Sequence, residues 1–279
     1  MRVKEILRQG RETLTANRIE DAGLEAEVLL RHTLSFDRVQ FYLQQDRELS
    51  AGENENFRQS LQRRLNNEPT AYITGHREFY GRDFYVDSNV LIPRPETELL
   101  VETALGLAAH RPLHTVADIG TGSGAIAISL ALSLPGTKIY AADISSAALK
   151  VAQINCRKHG VADVVYLLQG DLLDPLPETV DMILANLPYV REEELPRVNT
   201  WHFEPPAALN GGHDGLDIIR RLCSQAGGKL RPGGVLLLEI GLGQSEAATA
   251  FCRQLFPAAE IKVILDGNGI DRVVSLVTA

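Results

Sequence analysis

The chain has 279 residues, of which 44% are hydrophobic and 23% charged, and its formal net charge at pH 7 is −8. This length accommodates one large domain and a smaller appendage, and the charged share is that of a folded protein rather than a disordered one. The acidic balance, without any run of basic residues, argues against a protein whose affinity comes mainly from contacts with phosphates.

The three cysteines, Cys156, Cys223 and Cys252, are scattered, and no Cys or His group has metal-ligand spacing. We therefore expect buried free thiols in a reducing compartment and no metal site. The N-terminus lacks the apolar segment of a signal peptide, and no stretch approaches the ~20 apolar residues of a membrane span. These features predict a soluble, cytoplasmic protein without membrane attachment.

Residues 1–75 predict a small bundle of helices. Asp21 is a candidate N-cap, and the helix that contains the last apolar stripe should end before Pro69. Because no catalytic motif falls in this region, packing and partner recognition are both open as its role. The apolar residues at helical spacing are Val3, Ile6, Leu7 and Leu14, then Leu24, Val28, Leu29 and Leu30, then Phe57, Leu61 and Leu65.

Residues 76–92 predict a β-hairpin that links the bundle to a large domain over residues 93–279. Aromatic residues on both sides of Gly81-Arg82 favour two short strands around a tight turn. The large domain begins with an apolar helix from Leu99, and Pro95 near its first turn, with acidic residues close behind, is typical of a helix start.

From residue 113 onward, the patterns of strands and helices alternate. Such alternation predicts an α/β fold with a doubly wound, mostly parallel sheet of the Rossmann-like kind. The last two strands, at 260–265 and 272–277, are separated by too few residues for a helical crossover, so they should pair antiparallel. The other predicted strands end at Ile119, Ala142, Leu168, Ala185 and Glu239, which makes seven strands with one antiparallel member near the sheet edge.

A glycine loop follows the first of these strands, in the order Asp118-Ile119-Gly120-Thr121-Gly122-Ser123-Gly124. Glycines at such a place let the backbone turn sharply and approach a ligand closely. Dinucleotide enzymes also have a glycine-rich turn here. The GxGxG spacing and the acid that precedes it instead favour S-adenosylmethionine, which has no pyrophosphate and carries cationic groups that suit a nearby acid such as Asp118.

A second acid, Asp143, ends the next strand about 20 residues after the loop, the spacing at which a carboxylate binds ribose hydroxyls. Asp171 and Leu172, after the third strand, are expected beside the adenine ring, although a strand-end cap explains Asp171 equally well. The predicted cofactor site therefore includes Asp118, Gly120, Thr121, Gly122, Ser123, Gly124, Asp143, Asp171 and Leu172.

The fourth strand ends in Asn186-Leu187-Pro188-Tyr189. Ligands of open α/β sheets bind beyond the carboxyl ends of the strands, so this tetrapeptide should lie beside the methyl group of the cofactor. The Asn186 side-chain oxygen and the Leu187 carbonyl can accept the two N–H groups of a planar nitrogen, Pro188 restricts the turn, and Tyr189 offers a flat apolar face. We predict catalytic roles for Asn186, Pro188 and Tyr189, and substrate binding by all four residues.

Positioning, desolvation and directed hydrogen bonds can lower the barrier at such a site without a dedicated general base. The extra proton would leave after methyl transfer, when the nitrogen is cationic and acidic. An amide nitrogen and an exocyclic amine of a base both fit this arrangement, so the tetrapeptide by itself leaves the substrate class open.

Together, residues 118–124 and 186–189 resemble class I methyltransferases that modify planar nitrogens. Further segments are similar to the HemK/PrmC family of glutamine N5-methyltransferases. These segments are Glu68-Pro69-Thr70-Ala71-Tyr72-Ile73-Thr74-Gly75, Ile92-Pro93-Arg94-Pro95-Glu96-Thr97-Glu98, Phe203-Glu204-Pro205-Pro206-Ala207-Ala208-Leu209 and Gly211-Gly212-His213-Asp214-Gly215-Leu216.

The resemblance implies that the substrate is the glutamine in the Gly-Gly-Gln loop of class 1 peptide chain release factors. It implies S-adenosyl-L-methionine as methyl donor, with Asn186 among the residues that bind it, and S-adenosyl-L-homocysteine as second product. It also implies that the N-terminal bundle grips the release factor. We expect a monomer that needs no direct contact with nucleic acid. The main alternative is an adenine-N6 methyltransferase acting on nucleic acid, and a second is a binding module with a degenerate site.

One residue departs from the family pattern. The family usually has Asn-Pro-Pro-Tyr, and Leu187 stands in place of the first proline. The carbonyl acceptor survives, since every residue has one, but the restriction that proline places on the backbone is lost. We expect a modest effect on rate. For Arg94, Glu96 and Glu204, site roles and ordinary capping or ion pairing are both open.

Overall fold

The computed structural model describes residues 1–197 and 202–279, and these residues form two compact units, Met1–His76 and Arg77–Ala279. Within these two ranges, no helix is long and apolar enough to cross a membrane.

The N-terminal unit consists of five helices: α1 (Val3–Ala16), α2 (Ala22–Leu34), α3 (Arg38–Leu43), α4 (Ala51–Leu65) and α5 (Thr70–Thr74). Its core is built around Leu29, Leu30, Phe41 and Phe57, all nearly inaccessible to solvent. The third predicted stripe is confirmed as α4, which begins with a capping box between Ser50 and Glu53 and ends before Pro69.

Asp21 stands at the N-cap of α2, as predicted, but its side chain accepts no capping hydrogen bond. Its backbone has a left-handed conformation, with φ of 51°, whereas a residue that caps through its side chain usually has an extended one. The sequence identified the position of this helix start but not the way in which the chain enters it.

The hairpin is confirmed as β1 (His76–Phe79) and β2 (Arg82–Tyr85). Its turn lies at Tyr80 and Gly81, both with positive φ, one residue earlier than the sequence indicated. Phe79 and Phe84 contact each other edge to face and belong to a core cluster of the large unit. In the structure, these two strands therefore contribute apolar side chains to the core of the unit with the sheet.

The large unit contains a seven-stranded sheet in the order β5-β4-β3-β6-β7-β9-β8. Neighbours among the first five strands in this order pair in parallel, and β9 pairs antiparallel with both β7 and β8. The predicted antiparallel strand near the edge is confirmed. The strands are β3 (Thr115–Ile119), β4 (Lys138–Asp143), β5 (Val165–Gln169), β6 (Val180–Ala185), β7 (Leu230–Glu239), β8 (Glu260–Leu265) and β9 (Asp271–Val277).

Helices cover both faces of this sheet. Alternate residues of each strand point to opposite faces, so Met182 and Leu184 of β6 belong to one core cluster and Ile183 and Ala185 to the other. The first cluster includes residues of α6 (Glu98–Ala108), α7 (Ala125–Ser133) and α8 (Ser146–Lys158). The second includes residues of α9 (Asp217–Ala226) and α10 (Ser245–Leu255).

Candidate active site

A cavity of about 550 Å³ lies at the carboxyl ends of β3, β4, β5 and β6. Its volume is in the range of small-molecule sites, and its place in the sheet is where doubly wound folds bind ligands. Ten of the thirteen predicted site residues line it; Asp118, Gly124 and Tyr189 do not. The ten are Gly120, Thr121, Gly122, Ser123, Asp143, Asp171, Leu172, Asn186, Leu187 and Pro188.

The glycine loop connects β3 to α7 and forms one wall of the cavity. Gly120 has a φ of 73°, and the backbone N–H groups of Gly120 and Thr121 both donate to the carbonyl of Ala142 at the end of β4. A β-carbon on Gly120 would lie 2.9 Å from Cδ2 of Leu187. Glycine is therefore required at this position both by the backbone conformation and by the side chain opposite.

Asp143 ties the end of β4 to this loop. Its Oδ2 accepts a hydrogen bond from the Gly122 N–H at 2.9 Å, and its Oδ1 accepts one from the Ser145 N–H at 2.8 Å. Burial raises the pKa of this carboxyl above its ordinary value, and these backbone donors oppose the rise. Since each carboxylate oxygen has a further lone pair, Asp143 can also accept hydrogen bonds from a ligand.

Asp118 is fully buried beneath the glycine loop, away from the cavity wall. Its Oδ2 accepts hydrogen bonds from the Thr121 hydroxyl at 2.6 Å and from the Ala127 N–H at 3.2 Å, whereas Oδ1 has no partner among the described residues. Burial raises the pKa of Asp118 to about 7. In this structure, Asp118 stabilises the loop through these hydrogen bonds. Direct contact of Asp118 with a ligand stays a prediction.

Asp171 and Leu172 follow β5 and both line the cavity. The Asp171 carboxylate forms an ion pair with Arg221 of α9, another residue of the cavity wall. Leu172 has a φ of 50°, an uncommon conformation for a residue with a β-carbon. Such conformations cost about 1–3 kcal/mol and are maintained where the surrounding structure requires them. In this conformation, Leu172 contributes an apolar side chain to the cavity wall.

Asn186 and the residues after it leave β6 at the centre of the sheet edge. The Asn186 Nδ2 donates to the Thr97 hydroxyl oxygen at 2.9 Å. Leu187 is 5% exposed and packs into the second core cluster, and Pro188 lines the cavity. The carbonyl of Leu187 accepts no hydrogen bond from the part of the chain that the structure describes, which leaves it available to a substrate.

Tyr189 is not among the residues that line the cavity. Its ring packs against the second core cluster, and its hydroxyl donates to Oε1 of Glu239 at 3.2 Å. Burial raises the pKa of Tyr189 well above its usual range. The hydroxyl therefore stays protonated at neutral pH and donates to the carboxylate, and contact of the ring with a substrate stays a prediction.

The backbone after Pro188 is held by residues distant in sequence. The Gln244 Nε2 donates to the carbonyl of Tyr189 at 2.9 Å, and the N–H of Val190 donates to the carbonyl of Leu209 at 3.0 Å. The Gly211 N–H in turn donates to the carbonyl of Val190 at 2.8 Å. These bonds fix the path of the chain through the site without any help from a proline at position 187.

The Pro-Arg-Pro-Glu-Thr-Glu run forms another wall. Arg94 lines the cavity, and its guanidinium lies 2.6 Å from Oε2 of Glu204, which is 2% exposed. The other oxygen of Glu204 accepts a hydrogen bond from the Ile92 N–H at 3.1 Å. Glu96 is exposed. For Arg94 and Glu204, the geometry is that of an ion pair that joins two segments of the wall.

Residues 5–75 match the model of the PrmC N-terminal domain, and residues 95–210 match that of the methyltransferase small domain. A release factor glutamine methyltransferase of Moorella thermoacetica is 44% identical over 98% of this chain and 97% of its own length. One of Koribacter versatilis is 43% identical over 90% of this chain and 89% of its own length. The chain belongs to the release factor glutamine methyltransferase family.

The fold of this family member is also that of more distant methyltransferases. A methyltransferase from Pyrococcus furiosus superposes with a TM-score of 0.55 at 19% identity, over 80% of this chain and 98% of its own. A 16S rRNA N2 G1207 methyltransferase of T. Thermophilus, solved in complex with AdoMet and guanosine, gives a TM-score of 0.52 at 19% identity, over 73% of this chain and 50% of its own. At these identities, the similarity concerns the fold.

Thr97 and Glu239 are two buried polar residues of this family member that the sequence patterns did not single out as site residues. Thr97 lines the cavity, and Glu239 ends β7, next to β6 in the sheet. The rule that points to Asn186, a polar residue at the carboxyl end of a central strand, applies equally to Glu239. Burial raises the pKa of Glu239 to about 7, and the hydroxyls of Thr97 and Tyr189 oppose the rise.

The three cysteines are free and buried, as expected. Among the described residues, no group of His, Cys, Asp and Glu side chains is arranged to hold a metal ion.

Proposed function

We propose that this chain transfers a methyl group from S-adenosyl-L-methionine to the side-chain amide nitrogen of the glutamine in the Gly-Gly-Gln loop of class 1 peptide chain release factors. The names of its relatives support this substrate. For methyl transfer to a planar nitrogen, the observation that carries the proposal is the state of Asn186, whose Nδ2 donates to Thr97 at the cavity wall. Its Oδ1 is therefore left to accept an N–H of the substrate amide.

The cavity wall offers donors and acceptors that fit the methyl donor. Asp143 keeps lone pairs for two ribose hydroxyls, and Leu172 and Ile144 provide apolar walls for an adenine ring. The backbone of Gly120 allows close approach because no β-carbon intervenes. S-adenosyl-L-methionine supplies an electrophilic methyl group at this site, and S-adenosyl-L-homocysteine is the second product.

The chain itself contributes hydrogen-bond acceptors and orientation. An amide nitrogen is a weak nucleophile because its lone pair is delocalised, so the site must aim it and remove water. Asn186 Oδ1 and the Leu187 carbonyl accept the two amide N–H groups, and Pro188 limits the movement of the backbone between them and Tyr189. The nitrogen loses its extra proton to solvent after it has gained the methyl group, so no side chain is needed as a general base.

The N-terminal unit contributes to recognition of the release factor in this proposal. Its match to the PrmC N-terminal domain supports a shared role with the relatives. On α3, Val39, Tyr42 and Leu43 have large exposed apolar side chains, and such groups suit contact with a protein partner. Recognition of a protein also agrees with the net charge of −8, which disfavours nucleic acid as substrate. The enzyme acts as a monomer in the cytoplasm.

The proposal is tested by incubating the purified protein with radiolabelled S-adenosyl-L-methionine and, in separate reactions, a class 1 release factor, DNA or tRNA. We expect label on the release factor, and peptide mapping should place it on the Gly-Gly-Gln glutamine. The Asn186→Ala variant should lose activity by about 10²-fold, the size of effect seen when a preorganised polar group is removed from an active site.

Asn268→Ala is a matched control, because Asn268 lies in the exposed turn between β8 and β9, far along the chain from the cavity-lining segments. This variant should keep full activity. Label on DNA or tRNA but not on the release factor would overturn the proposed substrate. Full activity of Asn186→Ala would overturn the proposed hydrogen bonding of the amide.

A further inference from the structure

The side-chain amide of Asn186 can face two ways. Its Oδ1 and Nδ2 are nearly equal in size, so rotation by about 180° exchanges an acceptor for a donor without changing the packing. Only the orientation with Oδ1 toward the substrate can accept an amide N–H. The position of the backbone does not decide between the two, so a neighbouring group must.

That neighbour is Thr97, the last residue of the short 3-10 turn Pro95–Thr97. Its side chain is 4% exposed, and its hydroxyl oxygen lies 2.9 Å from the Asn186 amide nitrogen. A hydroxyl has one proton and two lone pairs, so it could also donate to Asn186. The group to which the Thr97 hydroxyl donates therefore decides which end of the Asn186 amide faces Thr97.

The Glu239 carboxylate is the acceptor to which the Thr97 hydroxyl can donate. It lies at the carboxyl end of β7 and is 1% exposed. Tyr189 donates to its Oε1, whereas Oε2 has no close hydrogen-bond partner among the described residues. Ala185 of β6 is paired with Leu238 of β7, so the residues that follow them, Asn186 and Glu239, lie side by side, and Thr97 is 2.9 Å from the Asn186 side chain. A lowering of the pKa of Glu239 by the Thr97 hydroxyl agrees with this proximity. A buried acceptor without a partner is energetically costly, so a nearby hydroxyl orients its proton toward it.

We infer that Glu239 draws the proton of the Thr97 hydroxyl, which makes Thr97 an acceptor toward Asn186 and turns the Asn186 Oδ1 toward the substrate amide. Thr97 and Glu239 are then positioning residues that act through Asn186. The inference rests on the proposed function, since it explains how that reaction obtains a correctly oriented acceptor.

The surroundings of Thr97 support this role. The segment before it is held by the ion pair of Arg94 with Glu204, and the residue after it, Glu98, accepts a hydrogen bond from the Tyr80 N–H at 2.9 Å. The chain is thus held on both sides of Thr97. Through Thr97, the Pro-Arg-Pro-Glu-Thr-Glu run has a role in the site in addition to starting helix α6.

The test compares Thr97→Val with Thr97→Ser. Valine has the shape of threonine without the hydroxyl, and serine keeps the hydroxyl without the methyl group. We expect Thr97→Val to lower kcat by about tenfold, the effect of losing one orienting hydrogen bond. The KM for the release factor and the Kd for S-adenosyl-L-methionine should change by less than about threefold. Thr97→Ser should restore kcat, whereas a residue needed only for packing would show no such rescue.

Glu239→Gln provides a second variant of matched size. An amide in place of the carboxylate can donate to Thr97, which frees the Thr97 proton for Asn186 and reverses the preference. It should lower kcat as Thr97→Val does, and it serves in place of Thr97→Val should that protein not fold. Thermal unfolding of each variant shows whether the fold is intact.

A second readout does not depend on activity. In 15N-labelled protein, the side-chain amide signals of Asn186, assigned by their loss in Asn186→Ala, should shift in Thr97→Val and in Glu239→Gln but not in Thr97→Ser. Unchanged Asn186 signals in Thr97→Val would overturn the inference, and so would wild-type kcat in that variant. Absence of activity in the wild type would instead refute the proposed function, and the amide signals would still decide the orientation.

Discussion

The close approach of Leu187 to Gly120 leads to a prediction about how the two halves of the site are coupled. A β-carbon at Gly120 would lie 2.9 Å from the Leu187 Cδ2, and the next nearest atom, the Asn186 carbonyl oxygen, would be at 3.7 Å, an ordinary contact. The φ of Gly120 is also positive, at 73°. The variant Gly120→Ala therefore combines backbone strain with a steric clash, and only the clash depends on Leu187.

The two contributions can be separated by size. Left-handed backbone costs a residue with a β-carbon about 1–2 kcal/mol, and overpacking of a buried site costs about 1–3 kcal/mol more. Gly136 has a φ of 85° with no atom within 4 Å of an added β-carbon, so Gly136→Ala measures the strain alone. We expect Gly120→Ala to lower the free energy of unfolding by about 1–3 kcal/mol more than Gly136→Ala does.

The assay is urea unfolding of Gly120→Ala, Leu187→Ala and the double variant, with calorimetric binding of S-adenosyl-L-methionine alongside. Leu187→Ala alone should cost about 2–5 kcal/mol, as buried leucines do. In the double variant the clash is gone, so its cost should be less than the sum of the single costs by about 1–2 kcal/mol. Additivity of the two single variants within about 0.5 kcal/mol would refute this reasoning.

Three further predictions concern buried charges. Glu239 has a pKa of about 7, and only its ionised form accepts hydrogen bonds without also donating one. The kcat of the wild type should therefore rise with pH through about 7. This pH step should be absent in Glu239→Gln. Asp118 also has a pKa raised to about 7. The folded state thus binds its proton more tightly than the unfolded state, and the free energy of unfolding should fall by up to about 4 kcal/mol as pH rises from about 4 to 8. Urea unfolding should show a smaller fall in Asp118→Asn. Arg94→Ala leaves the carboxylate of Glu204 buried without this partner and should cost about 3 kcal/mol in thermal or urea unfolding.

For each of these predictions, one experimental outcome would contradict it. An Asp118→Asn protein with the same pH dependence of unfolding as the wild type would show that Asp118 does not carry the effect. A pH step in kcat that survives in Glu239→Gln would assign that step to another group. For Arg94, the control is Arg58→Ala, since Arg58 and its partner Glu55 are both exposed, and it should cost less than about 0.5 kcal/mol; equal costs would contradict the reasoning.

The sequence was sufficient for the fold because the features that specify it are local. The antiparallel position of β9 follows from the short connection between residues 265 and 271, which is too short for a crossover. The glycine loop and Asp143 could be placed together because the carboxyl ends of neighbouring parallel strands meet at one edge of a sheet. Contacts within one connection, or between adjacent strands, can be predicted from spacing.

Other parts of the site could not be predicted, because they depend on contacts between distant segments. Nothing near Tyr189 in the sequence shows that its hydroxyl donates to Glu239, 50 residues later. The pairing of Arg94 with Glu204 spans 110 residues. The sequence also does not show how deeply Asp118 is buried at the end of β3. Its contact with the ligand, expected because acids suit cations, stays a prediction. Such side-chain directions follow from tertiary packing rather than from local pattern.

The hydrogen bonds of Gln244 and Gly211 to the chain around Tyr189 have a consequence for how related enzymes are recognised. Because distant residues also shape the loop after β6, a residue other than proline can stand at position 187 as long as Asn186 and the carbonyl after it stay in place. A definition that requires two prolines after the asparagine would exclude this chain, although Leu187 fits its site. Chains of this kind are better identified by the asparagine together with the distant residues that shape its loop.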